Sequence, residues 1–281
     1  MKKILMFVIL TGFCFVCSAA YAAVNPNDYL TNGKADIGKI YAAVEKGEVD
    51  PAEVAAAVLQ KDPGAYSNVV AAIVDADSGN NAPAIAKAAA QAVRGKGIPK
   101  AEANIAKMAA SVDPDNAAEI AKAVSEVAPE QAGVIASGVA ERVPGSAAQI
   151  AAAVSEANPG KAAMIASAVA NQVPGSVLEI VEAVSKAVPD QAAEIASGVS
   201  ANSKFQGLEN EIKEASEKGR DEADTTTTQT TTSETSEDTS TDDSTSTDTT
   251  TTEPTTSSST TTSSTTTTTT TTTETTVSPS S

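Results

Sequence analysis

The sequence predicts an all-α fold: short helices with a 15-residue period, paired in 30-residue units, stack as an α-solenoid or elongated helical array followed by a disordered tail. Three observations carry this. Prolines stand at Pro99, Pro114, Pro129, Pro144, Pro159, Pro174 and Pro189, always 15 residues apart. With each proline as position one, position seven is Ile120, Ile135, Ile150, Ile165, Ile180 and Ile195, and position eleven is Val124, Val139, Val154, Val169, Val184 and Val199. In the six units from Pro114 to Pro189, positions four and eight are Ala apart from Val177 and Val181, so the apolar residues fall at 4, 7, 8 and 11, one face of a helix.

The order of elements begins with a secretory signal over residues 1–22. Lys2 and Lys3 precede an uncharged apolar run, and Ala20-Tyr21-Ala22 offers the small residues a signal peptidase reads, placing cleavage between Ala22 and Ala23. The run is shorter than the ~20 residues of a spanning helix, and Phe13 and Val16 are poor neighbours for lipidation at Cys14 or Cys17. Cleavage removes both cysteines and takes the formal charge from −17 to −19. Such an acidic chain is repelled by nucleic acid and by anionic membrane surfaces. The short signal fits export from a Gram-negative bacterium, to the periplasm, the cell surface or the medium.

A lead-in at 23–33 is followed by diverged repeats at 34–98. Segments 34–47, 51–62, 63–77 and 79–93 keep the apolar spacing with irregular joints, and RGKGI interrupts before Pro99. Regular repeats then run over 99–203, giving about eleven short helices. Proline at each joint drives the residue before it out of αR and fits the next helix's start. Pro144-Gly145-Ser146 and Pro174-Gly175-Ser176 predict type II turns, with Ser146 and Gln149, and Ser176 and Glu179, forming capping boxes. The copies alternate. Units from 114, 144 and 174 carry Ser125, Ser155 or Ser185 after the Val, whereas units from 129, 159 and 189 carry Ser137, Ser167 or Ser197 after Ile-Ala. That makes the true repeat an antiparallel helix pair. A helix of about eleven residues is marginal alone, and one Ile and one Val bury too little to offset the ordering of fifteen residues, so neighbours must share faces. Gly138 and Gly198 suggest close helix approach.

Residues 204–224 are highly charged and read as a linker or frayed helix. Residues 225–281 are nearly all Thr and Ser, with eight acids and no Lys or Arg, which predicts disorder. In an exported protein this composition fits an O-glycosylated stalk or an unmodified solvating tail.

Chemistry has little to work with. Histidine is absent, and cysteine occurs only at Cys14 and Cys17, so no catalytic residue and no cofactor site is predicted. The repeat acids sit at polar helix positions, as a solvated face requires. Asp75 and Asp77 of DADSGNN resemble the start of a calcium loop, but glycine falls fifth rather than sixth and the twelfth residue is Ala86, so a helix-ending turn fits better. Tyr29, Tyr41 and Tyr66 are expected to pack in the N-terminal cap. The chain resembles helical solenoids in general, but its 15- and 30-residue periods match no named repeat.

The reading is therefore an exported or cell-surface, non-enzymatic scaffold that binds a protein or associates with itself, with no nucleic-acid partner and no membrane partner once the signal is removed. The alternatives are a lipid-interface protein whose helices open to expose their apolar faces and, last, a carboxylate-only calcium binder.

Overall fold

The computed structural model describes residues 24–232. These fall in a compact unit spanning 1–236; a second unit, 237–281, lies outside the described residues, as do the signal segment, its Ala22–Ala23 junction and most of the Thr/Ser-rich tail.

Eleven short helices follow one another: α1 (Ile37–Glu45), α2 (Pro51–Lys61), α3 (Tyr66–Ala76), α4 (Ala82–Val93), α5 (Ala101–Val112), α6 (Ala117–Val127), α7 (Ala132–Arg142), α8 (Ala147–Ala157), α9 (Ala162–Gln172), α10 (Val177–Ala187) and α11 (Ala192–Ser200). A longer helix, α12 (Glu209–Thr232), closes the series. Each helix packs most heavily on the helix two places along. The stack therefore has two rows, an even row from α2 to α12 and an odd row from α1 to α11, with consecutive helices crossing between them. This is the helical array the repeat period predicts, and its 30-residue unit is one step of both rows.

The core is the seam the spacing marks out. Ile120, Ile135, Ile150, Ile165, Ile180 and Ile195, with Val124, Val139, Val154, Val169, Val184 and Val199, are all fully buried. The Ala at positions four and eight lie beside them, so the layer between the rows is thin and built from small side chains.

The joints work as proline predicts at one point and differ at another. The residue before each proline leaves the helical region, as at Val143 (φ −127°, ψ 67°), while its N–H still bonds back to the preceding helix. The turn that follows is 3-10 and not type II: Pro144–Ser146 and Pro174–Ser176 are 3-10 turns, and neither Gly145 nor Gly175 has positive φ. Ser146 N–H donates to Val143 O at 3.0 Å and Ala147 N–H to Pro144 O. Because the turn itself satisfies the first donors of the helix, the predicted capping boxes do not form; neither Ser146 nor Ser176 makes a side-chain cap, and Gln149 and Glu179 face solvent. Side-chain caps occur at two of the five short helices that start without a 3-10 turn: the Asp36 side chain accepts from Lys39 N–H at the start of α1, and Asp50 from Glu53 N–H at the start of α2, whereas α4, α5 and α6 have none.

Both ends of the stack are closed. At the N-terminus the lead-in is not featureless. A 3-10 turn (Pro26–Tyr29) leads into a two-stranded hairpin, β1 (Leu30–Thr31) and β2 (Lys34–Ala35), turning on Asn32 (φ 54°) and Gly33 (φ 73°). The buried carboxylate of Asp62, just after α2, accepts from Ala35 N–H at 3.1 Å and from Lys34 Nζ at 3.3 Å, pinning the hairpin down.

At the C-terminus the segment read as a charged linker or frayed helix is a docked helix that runs eight residues past 224 into the predicted disordered segment. Its charge conceals a narrow inner stripe of Ile212, Ala215, Ser216 and Gly219, all buried against α10 and α11. At Gly219 an added Cβ would stand 2.2 Å from the Glu182 carbonyl oxygen, so only glycine permits this approach.

Candidate functional site

Since the Ile and Val residues are consumed by the stack, any site must be built from the residues left outside. Position six points to solvent in every regular helix. On the even row it is Glu119, Gln149 and Glu179, whereas on the odd row it is Asn104, Val134, Met164 and Glu194. Val134 and Met164 are 48% and 49% exposed and are the exposed large apolar side chains among the described residues.

The flanking positions repeat this contrast. The even row carries Lys122 and Glu126, Glu156, and Glu182 and Lys186, tied into interhelical ion pairs: Lys87–Glu126 (2.6 Å), Lys122–Glu156 (2.7 Å), Lys218–Glu182 (2.8 Å) and Lys186–Glu222 (2.9 Å). At the same positions, nine and thirteen, the odd row carries Lys107 and Ser111, Ser137 and Glu141, Ser167 and Asn171, and Ser197 and Ala201. Its one ion pair between neighbouring helices among the described residues joins Lys107 of α5 to Glu141 of α7; that hydrogen bond holds the Glu141 carboxyl below its ordinary range. One row of the stack is thus a charged face, the other a charge-poor face of small residues with two large apolar side chains at its centre.

The two serine series have different roles. Ser137, Ser167 and Ser197 lie on the outer surface of the odd row, half-buried or exposed. Ser125, Ser155 and Ser185 are completely buried on the even row. Ser125 accepts from Asn158 Nδ2 at 3.1 Å, and Ser185 donates to Ser216 of α12 at 3.1 Å. The Ser155 hydroxyl has no partner among the described residues.

Gly198 approaches α9 closely, an added Cβ meeting Ala163 Cβ at 3.2 Å. Gly138, expected to do the same, has open space above it, because it overlooks a shallow groove of about 230 Å³ lined by Lys100, Asn104, Lys107, Val134, Ser137 and Glu141. A cleft of about 300 Å³ lies between α11 and α12, with an alanine floor (Ala192, Ala193, Ala196) and Lys213, Glu217 and Arg220 at its rim.

The remaining sequence candidates are placed as follows. Asp77 accepts from Asn81 N–H at 2.7 Å and from Asn81 Nδ2, fastening the turn between α3 and α4, while Asp75 faces Tyr41 and raises that phenol's pKa by its charge. The two carboxylates therefore serve different partners, and the turn uses Ser78 and Gly79 at positive φ. Among the described residues no group of three or more His, Cys, Asp or Glu comes together as metal ligands would. Tyr29 is buried under the N-terminal hairpin, and the Tyr66 hydroxyl bonds with Asn104 Nδ2 at 3.1 Å across α3 and α5. Among the described residues no helix is long and apolar enough to cross a membrane.

The chain matches no protein-family model, no curated protein and no solved structure.

Proposed function

We propose that this chain is an exported, non-enzymatic scaffold whose helical stack binds a protein partner along its lateral face, with the Thr/Ser-rich segment serving as spacer or hydrated brush. The observation that carries the reading is the combination of closed ends and one charge-poor side. The 3-10 turn Pro26–Tyr29 that leads into the hairpin packs on α1 and α2, and α12 packs on α10 and α11. An open solenoid adds further units at its ends, whereas one capped at both ends offers its long sides for recognition. Of those sides, the odd row exposes Val134 and Met164, and apolar side chains in a polar rim are where binding energy concentrates.

The lipid-interface reading is the weaker one, because the Ile at position seven and the Val at position eleven of the repeats are at zero exposure and would have to leave the core to reach an acyl layer. The calcium reading is weaker still, since Asp77 is already committed to Asn81. Absence of histidine from the whole chain, and of cysteine after Cys17, supports a non-enzymatic role.

A photo-reactive amino acid placed at position 134 in cells that export the protein tests the reading. A discrete adduct is expected from position 134 and none from position 119 on the charged row; equal labelling from both, or none from either, overturns it.

A further inference from the structure

The odd-row face is self-complementary, and we propose that its partner is a second copy of this chain, paired about a two-fold axis parallel to the helices and passing between α7 and α9. This rests on the lateral-binding reading above and names its partner.

Helices of the same row run parallel in a 30-residue register, so equivalent positions form columns across α5, α7, α9 and α11. The proposed axis exchanges α7 with α9 and α5 with α11, and keeps each position opposite its own column. At position six, Val134 then meets Met164 of the second copy and Asn104 meets Glu194. At position two, Lys100, which lines the groove beside Val134, meets Asp190.

The patch therefore has an apolar centre, a basic α5 end and an acidic α11 end, and reversal about the axis sets basic against acidic twice. Charge matters here because two chains of formal charge −17 repel each other everywhere else. At positions six, nine and thirteen the odd row carries only Glu141 and Glu194 against Glu119, Glu126, Glu156, Glu179 and Glu182 on the even row, and Glu141 is already neutralised by Lys107. Four helices of about 16 Å at about 9 Å spacing give a footprint of about 16 by 36 Å, on the scale of the about 800 Å² per partner of a stable interface.

Sedimentation of the full chain between about 1 and 100 μM decides the matter. A concentration-dependent dimer is expected, and Val134→Lys with Met164→Lys is expected to be monomeric throughout with an unchanged helical circular-dichroism spectrum. Lys100→Glu sets like charges together at two symmetric places and should weaken pairing about tenfold, while adding Asp190→Lys should restore it to within about threefold of the parent. A parent monomeric at every concentration, a dimer untouched by the lysine pair, or a charge swap that restores nothing overturns the proposal. A monomeric parent whose position-134 probe still captures a different protein refutes self-pairing alone and leaves lateral binding standing; a monomer with no adduct removes both.

Discussion

At the scale of single residues, the most informative side chain is one that bonds to nothing. Ser125, Ser155 and Ser185 occupy the same buried place in three successive even-row helices, but only the first and last have partners. Asn158, the residue before Pro159, supplies the bond to Ser125; the equivalent residue one unit on is Val188, which leaves Ser155 unpaired. A buried hydroxyl without a partner costs about 1–3 kcal/mol. Ser155→Ala should therefore leave stability unchanged or raise it by about 1 kcal/mol, whereas Ser125→Ala should lower it by about 1 kcal/mol. Val188→Asn should cost about 1 kcal/mol less beside Ser155 than beside Ala at that position, read from a double-mutant cycle in urea. No such coupling would mean that the Asn–Ser pair contributes nothing. Acid pH probes a second residue. Asp36 has its carboxyl pKa lowered by the Thr31 hydroxyl and by Lys39 N–H. A depressed folded-state pKa stabilises above the unfolded value and is lost as pH falls through the folded one. Hydrogen exchange in the hairpin should therefore accelerate as pH drops below the ordinary carboxylate range, relative to a general acid trend, and Asp36→Asn should abolish that difference. The sequence showed the serine alternation plainly. Which series was buried depended on row geometry, because positions nine and twelve are both polar in one helix or the other and only stacking determines which turns inward.

At the scale of helices, spacing decided nearly everything that lies in the regular repeats. The seven short helices α5–α11, their proline joints and their apolar seams follow from the 15-residue period, since Ile and Val one turn apart have a single way to be buried together. What the sequence concealed lies at the joints and ends. A Pro-Gly-Ser joint is compatible with a capped type II turn and with a 3-10 turn, and the 3-10 form wins because it satisfies the same N–H groups with backbone alone. Asn32-Gly33 is a turn signal, but the strands it joins are two residues each, too short to show an alternating pattern in the sequence. The docking of α12 was masked by composition, its apolar stripe containing just one large residue, Ile212. Two glycines measure how tightly helices meet. Gly219→Ala drives a methyl into the backbone of α10 and should release α12, lowering the thermal midpoint and exposing Ile212 to solvent. Gly138→Ala has open space above it and relieves a helix of its least favourable ordinary residue, for an expected gain of about 0.5–1 kcal/mol. Thermal unfolding of both variants checks the pair; equal effects would mean that propensity outweighs packing at both sites.

At the scale of the molecule, the decisive property is parity. Each 15-residue unit belongs to one row by virtue of its polar positions, so the array tolerates change in steps of two units and resists change in steps of one. Removing residues 144–173 deletes α8 and α9 together, and α10 then stacks on α6 in its proper row. Two local penalties accompany this: Lys122 loses Glu156 and faces Lys186, and Ser125 loses Asn158 and faces Val188. The first is an exposed pair and costs little, while the second leaves a hydroxyl unpaired at about 1–3 kcal/mol. Removing residues 144–158 deletes α8 alone and puts every later helix in the wrong row. The buried places of Ser155 and Ser185 then fall to Ala170 and Ser200, and Val134 comes to lie beside Glu179 on a face of mixed character. The longer deletion should therefore unfold in one cooperative transition within a few degrees of the parent, and the shorter one should lose far more stability and cooperativity despite keeping more of the chain. Calorimetry of the two deletions reads both outcomes, and equal losses would show that the working repeat is a single helix.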